Sequence, residues 1–158
     1  MGVSSVTDIE ASVTQAEVRD LRRIAGIMIP ASEEHGVPGA NDPTIFDDIL
    51  SSLGRDLGDV RIGLQELTAL AGGAFADLDA VRAEAVTEAF YASGSPASAV
   101  LGRVILQCYY RDDRVLISLG LEPRAPFPKG HTLEPGDWSL LDAVRGRTQL
   151  WRDDRKEE

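Results

Sequence analysis

One cysteine and two histidines in 158 residues leave this chain few side chains for metal or nucleophilic chemistry. A lone Cys108 excludes an internal disulfide and any zinc or iron–sulfur site made from this chain's own cysteines. Such a residue reads as a small buried apolar side chain. His35 and His131 each stand in a Pro/Gly-rich loop with no carboxylate or thiol at ligand spacing, so an exposed or locally hydrogen-bonded role is expected of both. No apolar run reaches the roughly 18 residues that a transmembrane helix needs. Missing too are a Gly-x-Gly-x-x-Gly turn after a strand, a phosphate loop, Gly-x-Ser-x-Gly and Cys-x-x-Cys-His, so nucleotide cradling, serine hydrolysis and covalent haem have no support.

Positive charge is also scarce, with 16 Lys/Arg against 26 Asp/Glu and a formal net charge of −10. The imbalance lies in residues 1–121, with 18 acidic and 9 basic side chains, whereas residues 122–158 carry 8 and 7. An acidic surface repels phosphate backbones and anionic lipid, which disfavours nucleic acid and membrane surfaces as partners. A regulatory role on nucleic acid through an Arg22-Arg23 face is disfavoured on the same ground. Arg22-Arg23 with the apolar Ile24–Ile29 run resembles a twin-arginine signal only superficially, because a capped helix start precedes it and Pro30 breaks it.

Five or six helices can be placed, and no alternating strand pattern competes with them. Residues 1–13 read as a loosely held segment. Thr14-Gln15-Ala16-Glu17 has the form of a capping box, and Val18, Leu21, Ile24, Ala25 and Met28 then recur at helical spacing until Pro30. A Gly/Pro-rich loop over 31–42 leads to Asp42-Pro43, an N-cap followed by proline at the first helical position, with Phe46, Ile49, Leu50 and Leu53 inward. A third helix is expected over 57–71, weakened by Gly58 and Gly63. The fourth is expected over 78–91 with Val81, Ala85, Val86 and Phe90 inward, and Gly94 ends it. Ser95-Pro96 opens the fifth, through Leu101, Val104, Ile105 and Cys108 to Tyr109-Tyr110. Asp112-Asp113 begins a short continuation that Gly120 stops. The fold class is therefore all-α, a compact bundle over 14–121.

Residues 122–158 differ, holding both tryptophans and four of the eight prolines. The Pro-spaced piece from Glu122 to Gly130 favours extended backbone, and no long amphipathic helix follows. This reads as a mostly irregular C-terminal arm with apolar anchors that docks on a partner. Pro126, Phe127, Pro128, Trp138, Leu141 and Trp151 are its expected interface residues. Tyr109, Tyr110 and Arg111, in the densest cluster of polar aromatics and charges, are expected to join them, one tyrosine packing inward.

The paired acids Asp47-Asp48, Asp112-Asp113 and Asp153-Asp154 suggest no general acid/base pair. Neighbours in a helix point about 100° apart, so caps and solvated ends explain them better. An alternative is a self-contained small helical enzyme or ligand-binding protein with a pocket near Tyr109, Tyr110, Arg111 and Asp113.

Two segments carry a family likeness. Leu21-Arg22-Arg23-Ile24-Ala25-Gly26-Ile27-Met28-Ile29-Pro30-Ala31-Ser32, with the loop and helix start after it, resembles the N-terminal pattern of the gluconate 2-dehydrogenase subunit 3 family. Pro126-Phe127-Pro128-Lys129-Gly130 through Gly136-Asp137-Trp138-Ser139-Leu140-Leu141-Asp142 is similar to the end of small proteins encoded beside FAD-dependent glucose–methanol–choline type oxidoreductases. The resemblance implies a non-catalytic small subunit that binds and stabilises a large FAD-dependent sugar or alcohol dehydrogenase. It also implies that the flavin belongs to the partner and that this chain holds no cofactor, metal or catalytic residue. Several members of that family carry an export signal, and none is read here, so a cytoplasmic complex is expected.

Overall fold

Thr14 starts the first helix in the computed structural model, which describes residues 13–125, 127–132 and 135–148. Its hydroxyl accepts from the Glu17 N–H at 3.2 Å, and the Glu17 carboxylate accepts from the Thr14 N–H at 2.7 Å, closing the capping box of α1 (Gln15–Met28). Leu21, Ile24 and Ala25 are buried, with Val18 and Met28 packed beside them. In the loop that follows, an isolated antiparallel bridge pairs Ser32 with Val37. Asp42 then caps α2 (Pro43–Ser52), accepting from the Thr44 N–H at 3.1 Å. Ile45, Phe46, Ile49 and Leu50 form the buried face of α2, and Leu53 is buried just beyond it.

A 3-10 turn (Gly54–Asp56) feeds α3 (Leu57–Ala71), which ends at Gly72 in the left-handed conformation, φ +72°. Gly63 lies inside this helix for a packing reason that helix propensity does not reveal. A Cβ there would meet the Ala97 carbonyl oxygen at 3.3 Å and the Leu101 and Phe90 side chains at 3.4 and 3.5 Å. The glycine lets α3 approach α5 (Pro96–Tyr109) closely.

α4 (Ala80–Ala92) corrects the sequence reading. Its buried positions are Ala83, Val86, Thr87 and Phe90, whereas Val81 is 78% exposed and Ala85 is also outside. Phe90 sets the phase. At 100° per residue Val81 lies about 180° and Ala85 about 140° around the helix from that ring. Thr87 is tolerated inside because its hydroxyl donates to the Ala83 carbonyl at 2.8 Å. The helix starts two residues later than expected, because Leu78 closes a 3-10 turn (Phe75–Asp77) and Asp79 is the cap.

Ser95 caps α5, whose Leu101, Val104, Ile105, Cys108 and Tyr109 are buried, and α6 (Asp113–Ser118) follows with Asp112 as its cap. Gly120, φ +74°, follows α6. α5 packs on α3 and α2, α3 also on α4, and α1 on the Phe75–Asp77 turn, α3 and α4. Apart from the Ser32–Val37 bridge, the described residues contain no β-structure.

The chain divides into two compact units, one running to Pro123 and one from Arg124. The described part of the second is mostly irregular, with a 3-10 turn (Trp138–Leu141) and a four-residue α7 (Asp142–Arg145). Asp137 organises that turn, accepting from the Ser139 N–H at 3.0 Å and the Ser139 hydroxyl at 2.6 Å. Those two bonds hold its carboxyl below the ordinary value. No described helix is long and apolar enough to cross a membrane.

Candidate functional site

At the corner between α5 and α6 the two adjacent tyrosines part company. Tyr109 is 6% exposed and is the tyrosine that packs into the core, while Tyr110 is 52% exposed. Their rings meet edge to face, centroids 5.3 Å apart. Burial pushes the Tyr109 hydroxyl above its usual pKa, helped by Tyr110 and Asp112. Arg111 reaches Asp48 at 3.5 Å, and its Nη2 lies 3.7 Å from the Cys108 sulfur. The Cys108 thiol is 1% exposed and pushed up by burial, so it is no ready nucleophile. The cavity that Asp48, Cys108, Arg111 and Asp112 share measures only about 210 Å³.

Arg114 closes this corner. Its guanidinium binds both oxygens of Asp42, Nη2 at 2.8 Å and Nη1 at 3.3 Å, and both oxygens of Asp112, at 2.9 and 2.8 Å. Two N-cap carboxylates, 70 positions apart in sequence, thus share one cation. Arg114 holds both carboxyls below their ordinary values, and its own pKa is raised in return. The acids of this corner serve caps and ion pairs.

The feature that stands out is unburied apolar surface. In the first unit Tyr110, Ile117, Leu119 and Leu121 are all more than half exposed. In the second, Phe127 is 87% and Trp138 65% exposed, with Leu140, Leu141 and Val144 exposed as well. Pro128 is also exposed, whereas Pro126 and Trp151 lie outside the described residues. Single exposed apolar residues are ordinary, whereas each unit here exposes several large ones.

Sequence reasoning missed two other features. A cavity of about 480 Å³ lies between α1 and α3, walled by Leu64, Thr68 and the ion pair of Glu17 with Arg61, 2.7 Å apart. Asp20 also faces it, 6% exposed, accepting from the Ala76 N–H at 2.7 Å. Desolvation raises the Asp20 carboxyl above its ordinary value, against the opposing pull of that hydrogen bond and of Arg19. For Glu17, burial raises the pKa, but the bonds from Arg61 and Thr14 outweigh it and leave the group lowered. The signal for Asp20 was its position one residue before Leu21 and four before Ile24, an acid on the inner stripe.

The second feature is basic. Arg19, Arg22 and Arg23 share one face of α1 and, with Asn41, wall a cavity of about 380 Å³. Arg19 pairs with Asp77, and the Arg22 guanidinium lies 4.5 Å from the centre of the Phe46 ring. No described carboxylate pairs with Arg22 or Arg23, and the Arg23 Nε is shielded from solvent with no acceptor among the described residues. A buried donor left unpaired costs about 1–3 kcal/mol, so such groups are uncommon. The Asn41 amide sits in a notch between two glycines. A Cβ at Gly26 would fall 2.7 Å from its nitrogen, and one at Gly39 2.7 Å from its oxygen.

His35 is exposed, its backbone N–H donating to the Ser32 hydroxyl at 3.3 Å, and His131 is exposed too. Among the described residues no three His, Cys, Asp or Glu side chains gather as a metal-ion cage. No protein-family model, no curated protein and no solved structure matches this chain.

Proposed function

We propose that this chain is a non-catalytic accessory subunit that docks on and stabilises a large FAD-dependent sugar or alcohol dehydrogenase, the flavin residing in the partner. The observation that carries the reading is the exposure of large apolar side chains, Tyr110, Ile117, Leu119 and Leu121 in one unit and Phe127, Trp138, Leu140, Leu141 and Val144 in the other. Exposed tryptophan and phenylalanine flanked by proline are characteristic of docking surfaces, because rigid rings bury large areas at low entropic cost. The kind of partner rests on the resemblance of residues 21–32 and 126–142 to the small-subunit family. The acids of the α5–α6 corner support a scaffold role, since Asp42 and Asp112 are committed to caps and to Arg114.

Co-expression with a large flavoprotein dehydrogenase encoded beside this chain tests the reading. The two should co-purify, and Trp138→Ala should weaken the complex by about 2 kcal/mol, some thirtyfold in Kd. Lys129→Ala should change it little. Rates normalised to bound flavin should stay within about threefold in Tyr109→Phe and Asp113→Asn, because losing a general acid or base costs about 10²–10⁴-fold. A hundredfold fall with assembly intact, or turnover by the chain alone, would overturn the proposal.

A further inference from the structure

The basic cavity on α1 belongs to neither the exposed apolar surface nor the α5–α6 corner. It concentrates positive charge on a protein whose net charge is −10. Arg19, Arg22 and Arg23 stand at i, i+3 and i+4, so their side chains crowd one face and repel one another. Asp77 offsets Arg19, and the Phe46 ring holds Arg22 in place without neutralising it. The charges of Arg22 and Arg23 therefore have no counter-charge among the described residues. The Arg23 Nε is shielded from solvent with no partner among the described residues, and the exposed Asn41 amide lines the same cavity.

We propose that this cavity binds a small oxyanion, a free carboxylate or phosphate group, through Arg22, Arg23 and Asn41. A guanidinium presents its donors in a planar fork that matches two oxygens of such a group, and an amide N–H adds a third direction. The volume, about 380 Å³, suits a compact organic acid or phosphate monoester, and Ile27 offers an apolar wall for its carbon skeleton. A nucleic acid is the poorer occupant. Its backbone would have to run beyond three arginines onto an acidic body, losing at each further phosphate what it gains at the first.

The test uses the full chain and no partner, so it stands or falls apart from the docking proposal. Citrate and inorganic phosphate are titrated calorimetrically at constant ionic strength, with sodium chloride as the blank. Saturable binding of either is expected, and the one that binds names the class. Arg23→Gln and Asn41→Ala should each weaken it about tenfold or more, while Arg55→Gln, an exposed arginine elsewhere, should not. Asn41 is exposed, so its variant tests the site even if Arg23→Gln fails to fold. Heats no greater than those of chloride, or equal binding by both variants, would overturn the proposal. So would binding of a single-stranded oligonucleotide by a chain that ignores both small anions.

Discussion

Replacing Arg114 by glutamine removes a cation that two helix caps share. The caps themselves survive, because the Asp42 and Asp112 carboxylates accept from the Thr44 and Arg114 backbone N–H groups, which the side chain does not supply. What is lost is a pair of two-point contacts, and what is left is two neighbouring carboxylates without a counter-charge. Exposed ion pairs contribute about 0.2–1 kcal/mol each. The guanidinium is 45% exposed but its partners are only 22% and 10% exposed, so the upper part of that range applies. The expected loss is about 1–2 kcal/mol at neutral pH, or about 3–6 °C in Tm for a domain of this size. Both carboxyls titrate below their ordinary values when folded. Their contribution is therefore complete above the unfolded carboxylate value near 4 and disappears as pH falls through the lowered folded values. Urea unfolding followed by circular dichroism, on wild type and Arg114→Gln from about pH 7 to pH 3, should show two curves that converge at the acid end. Equal midpoints at neutral pH, or a gap that persists unchanged at about pH 3, would refute the reasoning.

The two glycines of α3 should behave in opposite ways. Gly58 has nothing within 4 Å of an added Cβ, so Gly58→Ala should stabilise by up to about 1 kcal/mol, while Gly63→Leu should cost 1–3 kcal/mol or more by forcing α3 from α5. Thermal unfolding ranks them, and a Gly63→Leu chain as stable as wild type would remove the close-approach argument. Asp20 tests the opposite pH dependence from Arg114. Its folded pKa is raised, so between the unfolded value and that raised value its contribution to stability falls as pH rises. Asp20→Asn, which keeps an acceptor for the Ala76 N–H, should abolish that slope and gain stability at neutral pH. Asp20→Ala should lose about 1–3 kcal/mol by stranding the amide, and an Asn variant weaker than the Ala variant would contradict the account.

Helix starts were the most legible part of the sequence. Thr14, Asp42, Ser95 and Asp112 each announce a cap through a short-range rule, and each accepts the backbone hydrogen bond that the rule requires. The inner face of α4 was not legible, because Val81, Ala85, Val86 and Phe90 are all apolar and only the neighbours of Phe90 decide which side is in. Gly63 failed for a related reason: propensity describes an isolated helix, and this glycine answers to another helix's backbone. At the candidate sites, Trp138 was legible as a large ring in a segment with little to bury it. Which of Tyr109 and Tyr110 faces inward was left open, since it depends on where α5 ends. The grouping of Arg23 with Asn41 was invisible, for it arises only when the loop after α1 folds back on the helix.

That fold-back has a consequence for how these positions can vary. Gly26 and Gly39 both have ordinary backbone angles, so what an added Cβ would meet at each is contact and not conformational strain. The constraints differ in kind. Around Gly26 the close atoms all belong to the Asn41 side chain, whereas Gly39 also faces the Ala31 nitrogen at 2.9 Å and the Ile29 oxygen at 3.1 Å. Shortening Asn41 should therefore rescue an alanine at position 26 and leave an alanine at position 39 unrescued. A double-mutant cycle should then show coupling between positions 26 and 41 and leave the cost at position 39 unchanged.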